Sequence, residues 1–186
     1  MNQADRLFLA SKLPLITLTD RAGIIAGAIT GRTNGFYNHV MWTWRVDDRT
    51  DHPLDLRVAS QDALLRDKSL DPYVAKCRIK FVYNPNWTEE QREVLRAYIR
   101  AMLKLPWRKR LYDYRGIIGQ LLGLPNYNFP GLRYCSEFVG DGIRLLESSF
   151  QYRHPTPADI NRWCKERPEM VTLAKWDADE KRLVRY

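Results

Sequence analysis

Paired cysteines and long apolar runs are missing from this chain, and each absence excludes a class of protein. The three cysteines, Cys77, Cys135 and Cys164, are widely separated and form no Cys-x-x-Cys pair. That pattern argues against a disulfide framework and against a structural zinc site, and it makes reduced thiols the default. No apolar run approaches the roughly 20 residues needed to span a bilayer as a helix. Met1-Asn2-Gln3-Ala4-Asp5-Arg6 lacks the basic region, apolar core and small-residue cleavage site of a signal peptide. The expected product is therefore cytoplasmic as synthesised, with virion association or release as routes out. Internal repeats, low-complexity segments, zinc-finger spacing and a clear RNA-binding signature are missing as well.

What is present is an ordinary globular composition. With 186 residues, 45% of them hydrophobic and 28% charged, the chain is expected to form a single domain over 1–186 with a real core. Thirty basic against 22 acidic residues leave a net charge of +8. Such a surface is drawn to anionic partners: nucleic acid, anionic lipid or cell-wall polymer. Charge alone does not choose among them.

Periodicity predicts the elements in order. Asp5 to Ala10 reads as a short strand closed by Pro14, and Leu15 to Thr30 as an amphipathic helix ended by Gly31. Thr33-Asn34-Gly35 is a turn that leads to a β-branched and aromatic strand from His39 to Val46. Asp47 to Pro53 is a second turn, and Leu54 to Ala59 is the antiparallel partner strand. Tyr73 to Tyr83 is a third strand, with Cys77 as core filler. Thr88-Glu89-Glu90-Gln91 is a capping box that starts a helix stopped by Pro106. The basic and aromatic cluster Trp107 to Arg115 and the apolar stretch Ile117 to Leu124 follow. Basic residues interleaved with aromatics suit single-stranded nucleic acid, but the signal is weak and nucleic acid is the least favoured partner. Near the end, His154 to Ile160 turns into a short helix carrying Trp163 and Cys164. Met170 to Trp176 and Lys181 to Tyr186 form a closing hairpin.

The stretch that carries chemistry is Arg133-Tyr134-Cys135-Ser136-Glu137-Phe138-Val139. It follows the turn-rich segment Leu124 to Gly131 and runs into helical spacing through Phe138, Val139, Gly142, Ile143, Leu146 and Phe150. Cys135 is thus expected at a helix N-terminus. Unpaired amides and the positive end of the helix dipole there favour the thiolate, which is the nucleophile. The best candidate base is His39, at the start of its strand.

This order of residues resembles the circularly permuted branch of the NlpC-type papain-like superfamily, the YiiX-like proteins, which are related to lecithin retinol acyltransferase. Asn38-His39-Val40 is similar to the family's Ser-His-Val, and Tyr134 to Val139 to its Tyr-Cys-Ser-Glu-Leu-Val. Tyr112-Asp113-Tyr114 matches the aromatic stretch before the cysteine, and Pro157-Ala158-Asp159-Ile160 the Pro-x-Asp-Leu segment after it. In unpermuted papain-like enzymes the cysteine precedes the histidine; here the order is reversed. Such proteins occur in bacteria and their phages, so virion proteins enter as partners if the chain is phage-encoded.

The resemblance implies an α+β fold, with an antiparallel sheet packed against helices and the nucleophile at a helix N-terminus. It implies a cysteine hydrolase of amide or ester bonds in which Cys135 attacks a carbonyl carbon and His39 moves the proton. A third polar residue would hold the imidazole. The family places it on the strand after the histidine, where this chain has Val58 at the most natural alignment. Gln61 is the candidate instead, with Ser60 the nearest alternative, and His52 and His154 are assigned structural roles. Candidate substrate contacts are Tyr134, Ser136, Tyr37 and Tyr114. No cofactor and no metal are expected. The leading expectation is a peptidoglycan amidase or endopeptidase. A lipid-ester hydrolase or acyltransferase with the same dyad is one alternative, and a silent virion or polyanion-binding module is the other.

Overall fold

The computed structural model describes residues 1–20, 27, 31, 35–47, 54–122, 124 and 129–186. Among them, seven strands form one antiparallel sheet: β1 (Leu15–Thr19), β2 (His39–Asp47), β3 (Asp55–Gln61), β4 (Leu65–Ser69), β5 (Ile79–Tyr83), β6 (Val171–Asp177) and β7 (Arg182–Arg185). Their spatial order is β4-β3-β2-β1-β5-β6-β7. The helices are α1 (Gln3–Ala10), α2 (Asp71–Val74), α3 (Glu89–Lys104), α4 (Tyr114–Leu122), α5 (Cys135–Leu146) and α6 (Pro157–Glu166), with a 3₁₀ turn at Trp107–Arg110. The architecture is α+β, as expected.

Strand alternation separates two hydrophobic layers. Ile16, Leu18, Val40, Trp42 and Ala59 face α3, α5 and α6, whose Leu95, Ile99, Phe138, Val139, Ile143, Ile160 and Trp163 complete one core. Leu15, Met41, Leu56, Val58, Ile79 and Phe81 face the other way, toward Leu9 of α1 and Tyr73 and Val74 of α2. Cys77 is buried in that second layer, as expected.

Two expected elements change type. The apolar run 5–10 is helix rather than strand, because the Asn2 side chain accepts the Asp5 amide at 2.8 Å and caps the first turn. Leu15–Thr19 is strand rather than helix: every residue in it is buried, a demand that only a central strand covered on both faces satisfies. The rest of that expected helix falls mostly on 21–26 and 28–30, outside the described residues. So do 33–34 and 48–53 of the two expected turns, and 125–128 before the cysteine. The expected third strand is half right, since Asp71–Val74 is a short helix and only Ile79–Tyr83 pairs. The capping box forms as expected, with the Thr88 and Gln91 side chains each holding the other's amide. Among the described residues no helix is long and apolar enough to cross a membrane.

Helix α5 lies close on the sheet because of Gly142. A Cβ there would come within 3.0 Å of Trp42 Cζ2 and of Leu95 Cδ1. Overpacking of this kind costs about 1–3 kcal/mol, against about 1 kcal/mol gained in helix propensity. Gly142→Ala is therefore expected to lower stability by about 1 kcal/mol, read as a Tm drop of about 2–4 °C in a thermal melt. An unchanged or raised Tm would show that the Trp42 ring yields freely.

Candidate active site

Cys135 is the first residue of α5, and Tyr134 is its N-cap, as the sequence pattern predicts. The thiol is only 1% exposed. Its sulfur receives hydrogen bonds from the backbone amides of Val40 and Ser136 and from the Tyr112 hydroxyl, all of which pull the thiol pKa down. Burial outweighs them, and the charge of Asp62 adds to it, so the thiol titrates above its ordinary value. This corrects the expectation that the helix N-terminus makes the group ionise readily: desolvation is the larger effect, and the resting species at neutral pH is the thiol.

The consequence is measurable. Only the thiolate is alkylated, and its fraction rises tenfold per pH unit below the pKa. Labelling of Cys135 by iodoacetamide, followed site by site by mass spectrometry, should be slow at pH 6–7 and climb through the alkaline range (about one decade per unit). Rapid labelling in mild acid would instead reveal a preformed thiolate. Cys164, pushed up to about 12 by burial, should likewise label only in the alkaline range.

His39 opens β2, and its imidazole is buried. Nε2 lies 3.0 Å from Ser60 Oγ and 3.4 Å from Asp62 Oδ1. The Tyr73 hydroxyl donates to Ser60 Oγ at 2.8 Å and lies 3.2 Å from Asp62 Oδ2, while Ser60 donates to Asp62 Oδ1 at 3.2 Å. Lys68 forms a salt bridge with the same carboxylate. These groups favour a proton on Nε2. Ser60 spends its proton on Asp62, so its oxygen accepts from His39, and the nearby carboxylate likewise favours a proton on Nε2.

The imidazole leans toward the α2 side of the sheet, its ring parallel to Tyr73 with centroids 6.2 Å apart. Cys135 approaches from the α5 side. The connection between them is the His39–Val40 peptide, whose N–H is a donor to the thiol. The β2–β3 register runs from Trp42↔Ala59 to Asp47↔Asp55, and Val40 lies beyond its end. The imidazole and the thiol thus lie on opposite sides of the strand and are joined through the Val40 amide.

Gln61 does not orient the imidazole. Alternation along β3 turns it away from Ser60 and Asp62, and its side-chain amide donates to the Arg110 carbonyl at 2.9 Å. The polar side chains beside His39 Nε2 are those of Ser60 and Asp62. Asp62 has a sequence signal that the expectation passed over: it stands two residues after Ser60, where the pleat returns to the same face.

The expected substrate contacts divide. Tyr134 is 1% exposed and hydrogen-bonded to Glu137, and Ser136 is fully buried, so both are packing residues rather than surfaces for a substrate. They are drawn inside because the first turn of α5 is sunk in the core. Tyr114 is exposed, its ring 4.9 Å from that of Tyr112. Tyr37 lines a groove of about 380 Å³ with Phe36, Arg78, Trp176, Arg182 and Tyr186. Burial, with Asp20 and Tyr186, pushes its hydroxyl up to about 12. His154 pairs with Glu137 at 2.7 Å, and burial raises the Glu137 carboxyl despite that partner. Asp113, fully buried, accepts the amides of Gly116 at 2.9 Å and Phe129 at 3.0 Å and so holds the segment before the cysteine. His52 lies outside the described residues.

No protein-family model matches the chain, and no curated protein matches it. Among solved structures, the chain is similar to the metalloprotein YiiX from Escherichia coli O157:H7, with 13% identity and a TM-score of 0.57. The match covers 89% of this chain and 98% of that one. The chain has a YiiX-like fold.

Proposed function

We propose that the protein is a cysteine hydrolase that cleaves an amide or ester bond through an acyl-enzyme on Cys135, in a circularly permuted papain-like arrangement. The observation that carries this reading is the placement of Cys135 at the first position of α5, where its sulfur is bonded by the amide that follows His39. Ser60 and Asp62 lie beside Nε2, and the mechanism gives Nδ1 the task of taking the thiol proton.

In this mechanism the pair rests neutral. The thiol proton passes to Nδ1 as Sγ attacks the carbonyl carbon, and Asp62 offsets the charge of the imidazolium that forms. The oxyanion is received by the Cys135 amide and by the Tyr112 hydroxyl, which releases the sulfur as it does so. Nδ1 protonates the departing amine or alcohol, leaving a thioester. Water, deprotonated at Nδ1, then attacks the thioester; the acid leaves and the thiol is restored. The Escherichia coli protein is a metalloprotein, but no group of three or more His, Cys, Asp or Glu side chains among the described residues here is arranged to hold a metal ion.

The cell-wall amidase or endopeptidase reading rests on the resemblance and the net charge of +8. The lipid-ester reading has an exposed apolar surface beside Tyr112 in its favour, described below. A silent module is favoured by the depth of the thiol. Trapping decides between enzyme and module: an activated p-nitrophenyl ester should leave an acyl mass on Cys135 in wild type and none in Cys135→Ala. No acyl mass on Cys135 in wild type, or ester turnover that survives Cys135→Ala, would sink this reading.

A further inference from the structure

Helix α4 is apolar on both sides. Ile117 packs into the core, 3% exposed, while Tyr114, Ile118 and Leu122, spaced at four-residue intervals along one outer stripe, are 47%, 47% and 66% exposed. Further large apolar groups stand out beside it in sequence: Trp107, Leu111, Leu124 and Phe129. A helix with a second apolar face has burial left to gain. The exposed charged groups of the same segment are of one sign. Arg108, Lys109 and Arg115 are exposed, with Arg108 against the Trp107 ring and Arg115 4.5 Å from the Phe129 ring centroid. The one acidic residue in the segment, Asp113, is turned fully inward.

We infer that the outer face of α4 and the Trp107–Arg110 turn form a docking surface for an anionic lipid bilayer, which they enter to interfacial depth. Aromatic and aliphatic side chains at the bottom of a basic rim match the boundary between headgroups and acyl chains. Nucleic acid fits less well. Trp107, Tyr114 and Phe129 offer rings, but Ile118, Leu122, Leu111 and Leu124 present none to stack on a base, and Tyr112, which the sequence offers for stacking, is buried against the thiol. The surface begins two residues after Tyr112, whose hydroxyl bonds the Cys135 sulfur and whose ring lies 4.9 Å from that of Tyr114. Docking itself does not depend on the hydrolase reading.

The experiment is co-sedimentation of the full chain carrying Cys135→Ala with phosphatidylcholine vesicles, with and without phosphatidylglycerol. Binding is expected only with phosphatidylglycerol and should weaken as salt rises. Ile118→Glu with Leu122→Glu should lower affinity at least about tenfold, and loss of each of Arg108, Lys109 and Arg115 about fivefold. Both positions of the double variant are solvent-facing, so its melt should match the parent's; if it does not, Trp107→Ala and the basic substitutions provide the same test. Equal binding to neutral vesicles, or none to anionic ones, would overturn the inference. So would anionic binding that survives both sets of substitutions, preferential salt-sensitive binding to a single-stranded oligonucleotide, or a dimer that the double variant breaks.

Discussion

Cys135→Ala should abolish acyl turnover, by a factor on the order of 10³ to 10⁶, while the protein still melts cooperatively. The size follows from the role. Without Sγ no acyl-enzyme forms, and a positioned imidazole with oxyanion donors supports only the residual attack of water. Tenfold corresponds to about 1.4 kcal/mol, so at least about 4 kcal/mol of barrier lowering is assigned to the thiol. The structural cost should be small, because alanine keeps the Cβ and removes one sulfur from a site 1% exposed. His39→Ala should follow with a loss of about 10² to 10⁴, the usual range for a general base. Steady-state hydrolysis of an activated ester, run beside a thermal melt, checks both. Turnover retained in a folded Cys135→Ala protein would remove the chemistry from this site.

The second large effect separates Asp62 from Gln61. Asp62→Asn should lower kcat about 10²- to 10⁴-fold with KM little changed, because an amide no longer favours the Nε2–H tautomer or offsets the imidazolium. Asp62→Glu, which keeps the charge, should recover part of the loss. Lys68, freed of its partner, has a side chain 35% exposed and can be solvated, so the fold should survive. Gln61→Ala should leave kcat within about threefold, while taking away the donor to the Arg110 carbonyl at a stability cost of about 1–2 kcal/mol. The reverse pattern, with kcat lost in Gln61→Ala and kept in Asp62→Asn, would return the orienting role to Gln61.

Elements whose signals are local were legible without coordinates. The Thr88–Gln91 capping box starts α3 because its donors and acceptors lie three residues apart. The hairpins β2–β3 and β6–β7 follow from β-branched and aromatic runs on either side of turn composition. Helix α5, with Cys135 at its first position, follows from helical spacing after a turn-rich segment. The misread elements are those whose type depends on distant neighbours. Leu15–Thr19 has an apolar pattern that suits either period, and it is a strand because β2 and β5 flank it. Strand β4, Leu65-Arg66-Asp67-Lys68-Ser69, gives almost no hydrophobic signal because it is a sheet edge, where charge is favoured.

The same division runs through the site. Sequence alone determined which groups are available: a cysteine at the start of a helix, a histidine at the start of a strand, a basic aromatic segment before the cysteine, and a net charge of +8. It did not determine protonation or partnership, because those depend on what surrounds each group in space. Burial in the first core layer raises the Cys135 thiol against the pull of three hydrogen bonds. The pleat of β3 presents Ser60 and Asp62, not Gln61, to His39. Tertiary packing also turned Tyr134 and Ser136 inward and left Tyr114, Ile118 and Leu122 in solvent. Desolvation and strand alternation act through neighbours brought together by folding, and linear spacing carries no record of either.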